Sequence, residues 1–241
     1  MELSVVLTGL LGSVILGGGL VTYLNANNKN QWIKFLLAFS GGFLLSIIFQ
    51  HLLPDLYHDG DLNIGIYILI GFLIQLILEY FSGGMEHGHV HAHSNQKLPL
   101  LLFLSLSIHS IIEGMPLGNH FAGIENEMQH HHDTLFWGII FHQIPVSVAL
   151  MTLLIHTQMK AIANWILLLL FGIMTPLGVI LGLTITTEEV GIDVHAVLAI
   201  VVGMFLHIST TIIFETSENH KFNFFKLISI IFGVFLAMFM Y

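Results

Sequence analysis

The chain has 241 residues, of which 55% are hydrophobic and only 9% are charged, with a formal net charge of -9 and no cysteine. This composition excludes an ordinary soluble globular protein and indicates an integral membrane protein. The missing cysteines exclude disulfides and thiolate metal sites, and the negative charge gives no reason to expect nucleic acid as a partner.

Eight apolar segments recur along the chain, each long enough to cross a hydrocarbon core about 30 Å thick. They lie at residues 3–24, 33–53, 62–82, 98–118, 134–155, 163–185, 192–214 and 222–240. The first segment lacks the flanks of a cleaved signal peptide, so we expect a permanent helix. The sequence thus predicts an all-α integral membrane protein, in which residues 1–241 form a single transmembrane domain built as a bundle of eight helices.

The lysines predict the orientation, because connections on the cytoplasmic side of a membrane are enriched in Lys and Arg. With eight segments, all of the lysines fall on one side: Lys29, Lys34, Lys97, Lys160, Lys221 and Lys226. The opposite connections carry Asp and Glu instead. We therefore expect both termini to be extracytoplasmic, in a multi-pass protein of the bacterial inner (cytoplasmic) membrane.

Small residues and one polar motif mark the first two segments. Glycines allow helices to approach closely, and we expect this role for Gly9, Gly12, Gly17, Gly18, Gly19, Gly41 and Gly42, and on the sixth segment for Gly172, Gly178 and Gly182. The motif "HLLPD" ends the second segment. His51 and Asp55 are four residues apart there, so they either form an entrance station for cations or belong to a solvated helix end.

The third segment carries Glu79 near its inner end, where we expect it to be solvated, with a place on an exit path as the minority interpretation. A loop at 83–97 follows and contains His87, His89, His91 and His93. Histidine-rich tracts of this kind bind metals by composition. The lysines place this loop in the cytoplasm, where metal capture is the expected role.

The fourth and fifth segments carry ionisable side chains near mid-membrane. His109 and Glu113 are four residues apart and share one helix face, and at about 1.5 Å per residue both His109 and His142 lie ~12–14 Å below the outer boundary. Such groups are costly within a bilayer and by default mark a functional site. Two imidazoles and a carboxylate suit zinc, with iron, manganese or cobalt as alternatives, and Ser110, Gln143 or water would complete the ligand shell.

Two prolines accompany these ligands. Pro116 and Pro145 cannot donate to the carbonyls of Ile112 and Phe141, so freed carbonyls and kinks are expected beside the site. The competing interpretation is that each histidine only bonds across a helix interface. That interpretation needs a separate explanation for each of three polar groups at one level, so we favour the metal site.

Two further regions carry candidate ligands. The connection at 119–133 is an outer acidic and histidine-containing loop, whose "MQHHHD" stretch would gather metal before it enters. On the seventh segment, His207 and Glu215 are candidates for an exit route, with helix packing as the alternative for His207.

The motifs "HSIIEG" at 109–114 and "HQIP" at 142–145, together with "HLLPD" and the histidine-rich loop, resemble those of the ZIP (ZRT/IRT-like protein) metal transporters. This resemblance implies eight helices, extracytoplasmic termini, and import of divalent transition metals through a site on the fourth and fifth segments. It also implies a homodimer. The ion, Zn²⁺ or else Fe²⁺, Mn²⁺ or Cd²⁺, would be the transported substrate, so no cofactor is expected.

One departure from the family pattern concerns the number of ions. Many prokaryotic members carry an acidic residue after the proline of the fifth segment and another beside its first ligand. This chain has Val146 and Gln143 at those positions. We therefore predict a single-metal site, with no second site through Thr175.

The alternative function is an intramembrane metal-dependent hydrolase. The HExxH motif, which places two zinc ligands and a general base on one helix, is absent. Helix-borne HxxxH and HxxHH boxes of membrane oxygenases are also absent, and a helix-bundle amidase would need an intramembrane Asp. A proton-coupled exporter would be expected to show Asp and His pairs and a soluble tail. A transporter, and no enzyme, is the interpretation that the sequence favours.

Overall fold

The computed structural model describes residues 1–23, 29–58, 63–82, 100–121, 129–157, 159–185, 193–215 and 224–240. Those residues form helices and no strand. The helices are α1 (Leu3–Tyr23), α2a (Lys29–Ile47), a π-helical turn (Ile48–Leu52), α2b (Leu53–His58), α3 (Ile64–Ser82), α4 (Leu100–Phe121), α5 (Gln129–His156), α6 (Ala161–Ile185), α7 (Val194–Glu215) and α8 (Phe224–Phe239).

The predicted fold class is confirmed, since α2a, the π turn and α2b form one continuous segment and the described helices therefore make eight. Seven of these segments are long and apolar enough to span a membrane by length and composition, and α8 is a shorter apolar helix. The protein is thus a multi-pass integral membrane protein. The side on which the termini lie stays a prediction. Phe35 and Phe225 are in edge contact, so the ends of α2a and α8 that carry Lys34 and Lys226 lie together.

The outer surfaces of α3 and α8 are apolar, as expected for helices that face lipid. Each exposes several large side chains, among them Ile66, Leu69, Leu73, Leu76 and Ile77 on α3 and Ile231, Phe232, Phe235, Met238 and Phe239 on α8. Polar side chains in the spans are instead mostly directed inward. The polar side chains that could bind an ion are therefore found mainly in the interior of the bundle.

The second segment is not the regular α-helix that the spacing of His51 and Asp55 assumed. The backbone N–H of Leu53 donates to the carbonyl of Ile48, five residues earlier, which defines a π-helical turn. Pro54 follows at once and has no N–H to continue the α-helical pattern. Because a π turn closes over one more residue than an α turn, regular α-helical spacing does not apply across His51 and Asp55, and their role as an entrance station stays a prediction.

The helices associate in two groups. The most extensive contacts join α4 to α6, α2a to α8, α3 to α7, and α1 to α5, and smaller contacts of α1 with α6 and of α2a with α7 complete each group. Between the groups, α2a packs against α5, and α3 packs against α4. This second set of contacts brings α2a and α3 to the helices that carry the predicted ligands.

Glycines permit the closest of these approaches. A Cβ on Gly114 would overlap the carbonyl oxygen of Thr175, and one on Gly178 would overlap that of Ile111, so α4 and α6 each present glycine to the other's backbone. The same reciprocal contact recurs in the other group. It joins α2a to α8 and α3 to α7 through Gly42 with Ile230, Gly233 with Phe39, Gly71 with Ile200 and Gly203 with Ile68. Close packing is confirmed for Gly178 and Gly182.

Two of the predicted glycines have no close contact among the residues that the structure describes. A Cβ built on Gly12 or on Gly19 would have nothing within 4 Å. The glycines of α1 are distributed over more than one face of the helix. Gly17 and Gly18 lie on a face that contacts neighbouring helices, whereas Gly12 and Gly19 do not.

Candidate metal centre

Three predicted ligand residues come together in the interior of the bundle. His109 and Glu113 lie one turn apart on α4, and His142 lies on α5. One possible ligand atom from each lies within 4.8 Å of the other two. All three side chains are buried, with 2%, 2% and 1% of their surface exposed. The cluster is therefore compact and shielded from solvent.

Within the cluster, His109 Nε2 lies 3.2 Å from Glu113 Oε2. The two imidazole rings are nearly perpendicular, at an angle of 81°, with their centroids 6.0 Å apart. Within the described ranges, no other group of three or more His, Asp or Glu side chains is compact enough to hold a metal ion. The sequence-based choice of these residues thus coincides with the one compact group in that part of the chain.

The other ring nitrogens of both histidines contact neutral polar groups. His109 Nδ1 lies within hydrogen-bonding distance, 2.9 Å, of Gln75 Oε1 of α3. His142 Nδ1 lies 3.2 Å from Ser40 Oγ of α2a. Gln75 and Ser40 are both fully buried, at 0% exposure. Second contacts of this kind fix the ring orientation of metal-ligating histidines.

Glu113 is held by a chain of hydrogen bonds that reaches α1. The Thr175 hydroxyl donates to Glu113 Oε1 over 3.2 Å, and Gln143 Nε2 donates to the Thr175 oxygen over 2.9 Å. Gln143 Oε1 in turn accepts from the Ser13 hydroxyl over 2.7 Å. Gln143, a predicted candidate ligand, therefore uses both ends of its amide in this chain. Ser110, the other predicted addition to the shell, is buried at 1% exposure.

The donor set fits a borderline-hard divalent ion. Zinc binds imidazole nitrogen and carboxylate oxygen at about 2.0–2.2 Å, which places neighbouring ligand atoms of a tetrahedral site roughly 3.3–3.6 Å apart. The 3.2 Å between His109 Nε2 and Glu113 Oε2 is close to that spacing. Small side-chain movements therefore suffice to close the three groups around one ion.

Sequence reasoning missed Gln75, Ser40 and Ser13 as members of this site. Gln75 stands alone as a polar residue within "GFLIQLIL" on α3, so the criterion that selected His109 would also have found it had uncharged side chains been included. Serine gives no such signal, because a hydroxyl in a helix normally bonds to its own backbone. Ser13 does so here as well, donating to the Leu10 carbonyl.

The structure describes the remaining candidate residues to different extents. His51 and Asp55 occupy the π turn and α2b and are partly exposed. The structure describes only the backbone of Glu215, and likewise of His130, His131 and His132 in the first turn of α5. The loop histidines His87, His89, His91 and His93 lie outside the described residues. The helices extend into the predicted outer connection, since α4 ends at Phe121 and α5 begins at Gln129.

His207 and Glu79 form a buried pair on α7 and α3. His207 Nε2 is hydrogen-bonded to Glu79 Oε2, and Phe72 packs edge-on against the imidazole with ring centroids 4.6 Å apart. Glu79 is only 16% exposed, so the expectation that it is solvated is wrong. The same two helices approach closely at Gly71 and Gly203.

Comparison with known proteins gives a consistent result. Residues 84–241 match the family model described as ZIP Zinc transporter. The chain is 26% identical over 228 residues to zinc transporter ZIP1 of Danio rerio, which covers 73% of this chain and 74% of that protein. It is 24% identical over 110 residues to zinc transporter 7 of Arabidopsis thaliana, covering 46% of this chain and 28% of that protein. The family match contains His109, Glu113 and His142, whereas Gln75 and Ser40 precede it.

Proposed function

Because the chain belongs to the ZIP zinc transporter family, we propose that it carries divalent transition-metal ions, above all zinc, into the cytoplasm through the His109–Glu113–His142 cluster. The family consists of metal transporters and not of enzymes, so the hydrolase alternative has no support from it. The single observation that carries the proposed site is the convergence of these three buried side chains from α4 and α5 within the bundle.

The ligand types support zinc as the preferred ion. Two imidazole nitrogens and one carboxylate, without any thiolate, suit zinc best among the available divalent ions, with Fe²⁺, Mn²⁺ and Cd²⁺ as secondary substrates. Both curated relatives are named zinc transporters. Ser110, Gln143 or water would supply the remaining ligand when the ion binds.

The proposed site takes one ion. A second ion beside the first would need further carboxylates, and the neighbouring positions hold Val146 and Gln143. The Gln143 amide nitrogen donates to Thr175, and the Thr175 hydroxyl donates to Glu113. A second metal bound through Thr175 would have to displace these hydrogen bonds.

The proposed route runs from the end of the bundle that carries His51 and Asp55 to the end that carries His207. The buried pair of His207 and Glu79 supplies an imidazole and a carboxylate on the inner side, with Glu215 at the end of α7 as a further candidate. The two histidine-containing connections would gather metal at either face. The working unit is a homodimer in the lipid bilayer of the bacterial inner membrane.

Uptake of radiolabelled zinc into proteoliposomes that contain the purified protein tests this function. We expect saturable zinc uptake. Unlabelled Cd²⁺, Fe²⁺ and Mn²⁺ should each compete less strongly than unlabelled zinc, and Mg²⁺ should not compete. The His109→Ala variant, reconstituted at the same density, is the matched control. Absence of transport of every one of these transition metals by the wild type would refute the proposal.

A further inference from the structure

Gln75 is a buried polar residue whose side-chain amide contacts His109, one of the three proposed ligands. It lies on α3, which carries none of the three ligands, and its side chain is 0% exposed. Its amide oxygen Oε1 lies 2.9 Å from His109 Nδ1. An amide oxygen has no hydrogen to donate, so this contact requires the proton of the neutral imidazole to be on Nδ1.

The position of that proton decides which nitrogen can bind a metal. A neutral imidazole carries one N–H and one lone pair, and the hydrogen bond at one nitrogen selects the other as the ligand. With the proton on Nδ1, the lone pair is on Nε2, which faces Glu113 Oε2 across 3.2 Å, so the nitrogen and the carboxylate both present lone pairs to a cation bound between them. The opposite tautomer would direct an N–H into the place where the ion must sit.

We propose that Gln75 is a positioning residue that holds His109 in the Nδ1–H tautomer, so that Nε2 is ready to bind the transported ion. The expected effect on transport rests on the proposed function. The tautomer of His109 does not depend on it. Gln75 acts through His109 and does not touch the ion.

The corresponding contact at His142 is less selective, which makes Gln75 the better position for a test. Ser40 Oγ lies 3.2 Å from His142 Nδ1, and a hydroxyl can either donate or accept. Ser40 therefore orients the ring of His142 without choosing its tautomer. Gln75 differs because the group that faces the imidazole only accepts.

The first experiment separates affinity from rate in zinc uptake by proteoliposomes. Gln75→Leu keeps a similar volume and removes the acceptor, and we expect the KM for zinc to rise about 10–100-fold, the range found for lost outer contacts of metal ligands. The maximal rate should change much less. Gln75→Glu restores an acceptor oxygen and should return KM toward the wild-type value, whereas a Glu variant as impaired as the Leu variant would overturn the proposal.

The second experiment reads the tautomer directly. Long-range ¹H–¹⁵N correlation spectra of metal-free protein with ring-labelled histidine distinguish the two tautomers, and the His109 signals are assigned by their loss in His109→Ala. We expect a single Nδ1–H form in the wild type and its loss in Gln75→Leu. An Nε2–H form in the wild type, or an unchanged spectrum in Gln75→Leu, would overturn the inference.

The two readouts fail separately. Absence of zinc uptake by the wild type would refute the proposed function, while the spectra would still test the role of Gln75. If Gln75→Leu does not fold, the wild-type spectrum alone decides, because it needs no variant. A higher KM with an unchanged tautomer would show that Gln75 matters only for packing and would also overturn the proposal.

Discussion

Individual residues around the buried cluster divide into three that can bind an ion and a neutral set that orients them. Gln75, Ser40 and Thr175 each contact one member of the cluster, and none of the three carries a charge. Neutral partners fix geometry without adding to the charge that an arriving cation meets. Among these contacting side chains, Glu113 is therefore the one that supplies negative charge to the site.

The first prediction concerns the proposed ligands. His109→Ala, Glu113→Ala or His142→Ala should each remove most zinc uptake, because each leaves two of three protein ligands. Ser110→Ala should reduce uptake much less, since water can replace a hydroxyl. Initial rates in proteoliposomes with matched protein content provide the measurement, and wild-type uptake by His109→Ala would contradict the assignment.

The second prediction concerns the hydroxyl that joins Gln143 to Glu113. Thr175→Val keeps the branched shape and removes both the bond to Glu113 and the acceptor for Gln143. We expect a rise in the KM for zinc of about tenfold, at the lower end of losses seen for outer contacts of metal ligands. Thr175→Ser keeps the hydroxyl and serves as the control. Equal KM values in the two variants would exclude an orienting role.

The sequence predicts a site residue where an ionisable side chain lies within an apolar helix. It does not predict a contact between two residues that are far apart along the chain. His109, Glu113 and His142 were identifiable because ionisable groups in apolar helices are rare and costly. Glu79 was placed in solvent because its partner, His207, is 128 positions away along the chain. No local pattern reports a contact of that kind, which exists only once α3 and α7 have packed.

At the scale of helices, the contact between α4 and α6 supports one half of the site. Both helices carry glycines four residues apart, Gly114 and Gly118 on α4 and Gly178 and Gly182 on α6, and each faces the other helix's backbone. This close approach places Thr175 of α6 within hydrogen-bonding distance of Glu113 of α4. Helix packing in membranes commonly uses small residues in this way.

The third prediction tests this contact. Gly178→Ala would place a methyl group against the carbonyl of Ile111, a backbone atom that cannot turn away, so we expect a loss of about 1–3 kcal/mol of stability, as found for overpacked sites. Thermal unfolding of the purified protein in detergent is the measurement. Gly12→Ala is the matched control, since its methyl group meets nothing within 4 Å. Equal melting temperatures for the two variants would contradict the packing.

Hydropathy predicted the helices but not their internal irregularities. Segment positions follow from apolar length, and the observed helices overlap all eight predicted segments, although α8 has only 16 residues. The π turn at Ile48–Leu52 was missed, since Pro54 indicates only that the α-helical pattern is interrupted and not how the backbone adjusts. The role of His51 and Asp55 depends on that adjustment.

For the whole molecule, family membership agrees with the resemblance seen in the motifs, while direction and ion number follow from charge arguments that remain predictions. One Zn²⁺ beside one Glu113 carboxylate gives a net charge of +1. Over a complete cycle the protein returns to its starting state, so the proposed mechanism moves the two positive charges of each Zn²⁺ across the membrane when no proton moves in exchange.

The fourth prediction follows from that charge. An inside-negative potential should favour zinc entry into proteoliposomes by ~2.3 kcal/mol per net charge for each 100 mV. Zinc flux at fixed pH is measured while potassium gradients with valinomycin clamp the potential. His109→Ala vesicles report the leak. Flux that does not respond to the potential would contradict the uncompensated single-ion mechanism.

The burial of the cluster has a consequence for the time that each transport event takes. With 1–2% of each ligand side chain exposed, an ion cannot reach or leave these atoms until helices have moved. Collective helix motions take microseconds to milliseconds, so on the proposed route the passage of each zinc ion would wait for such a motion. The turnover number would then be set by the bundle, and raising the zinc concentration beyond saturation would not increase it.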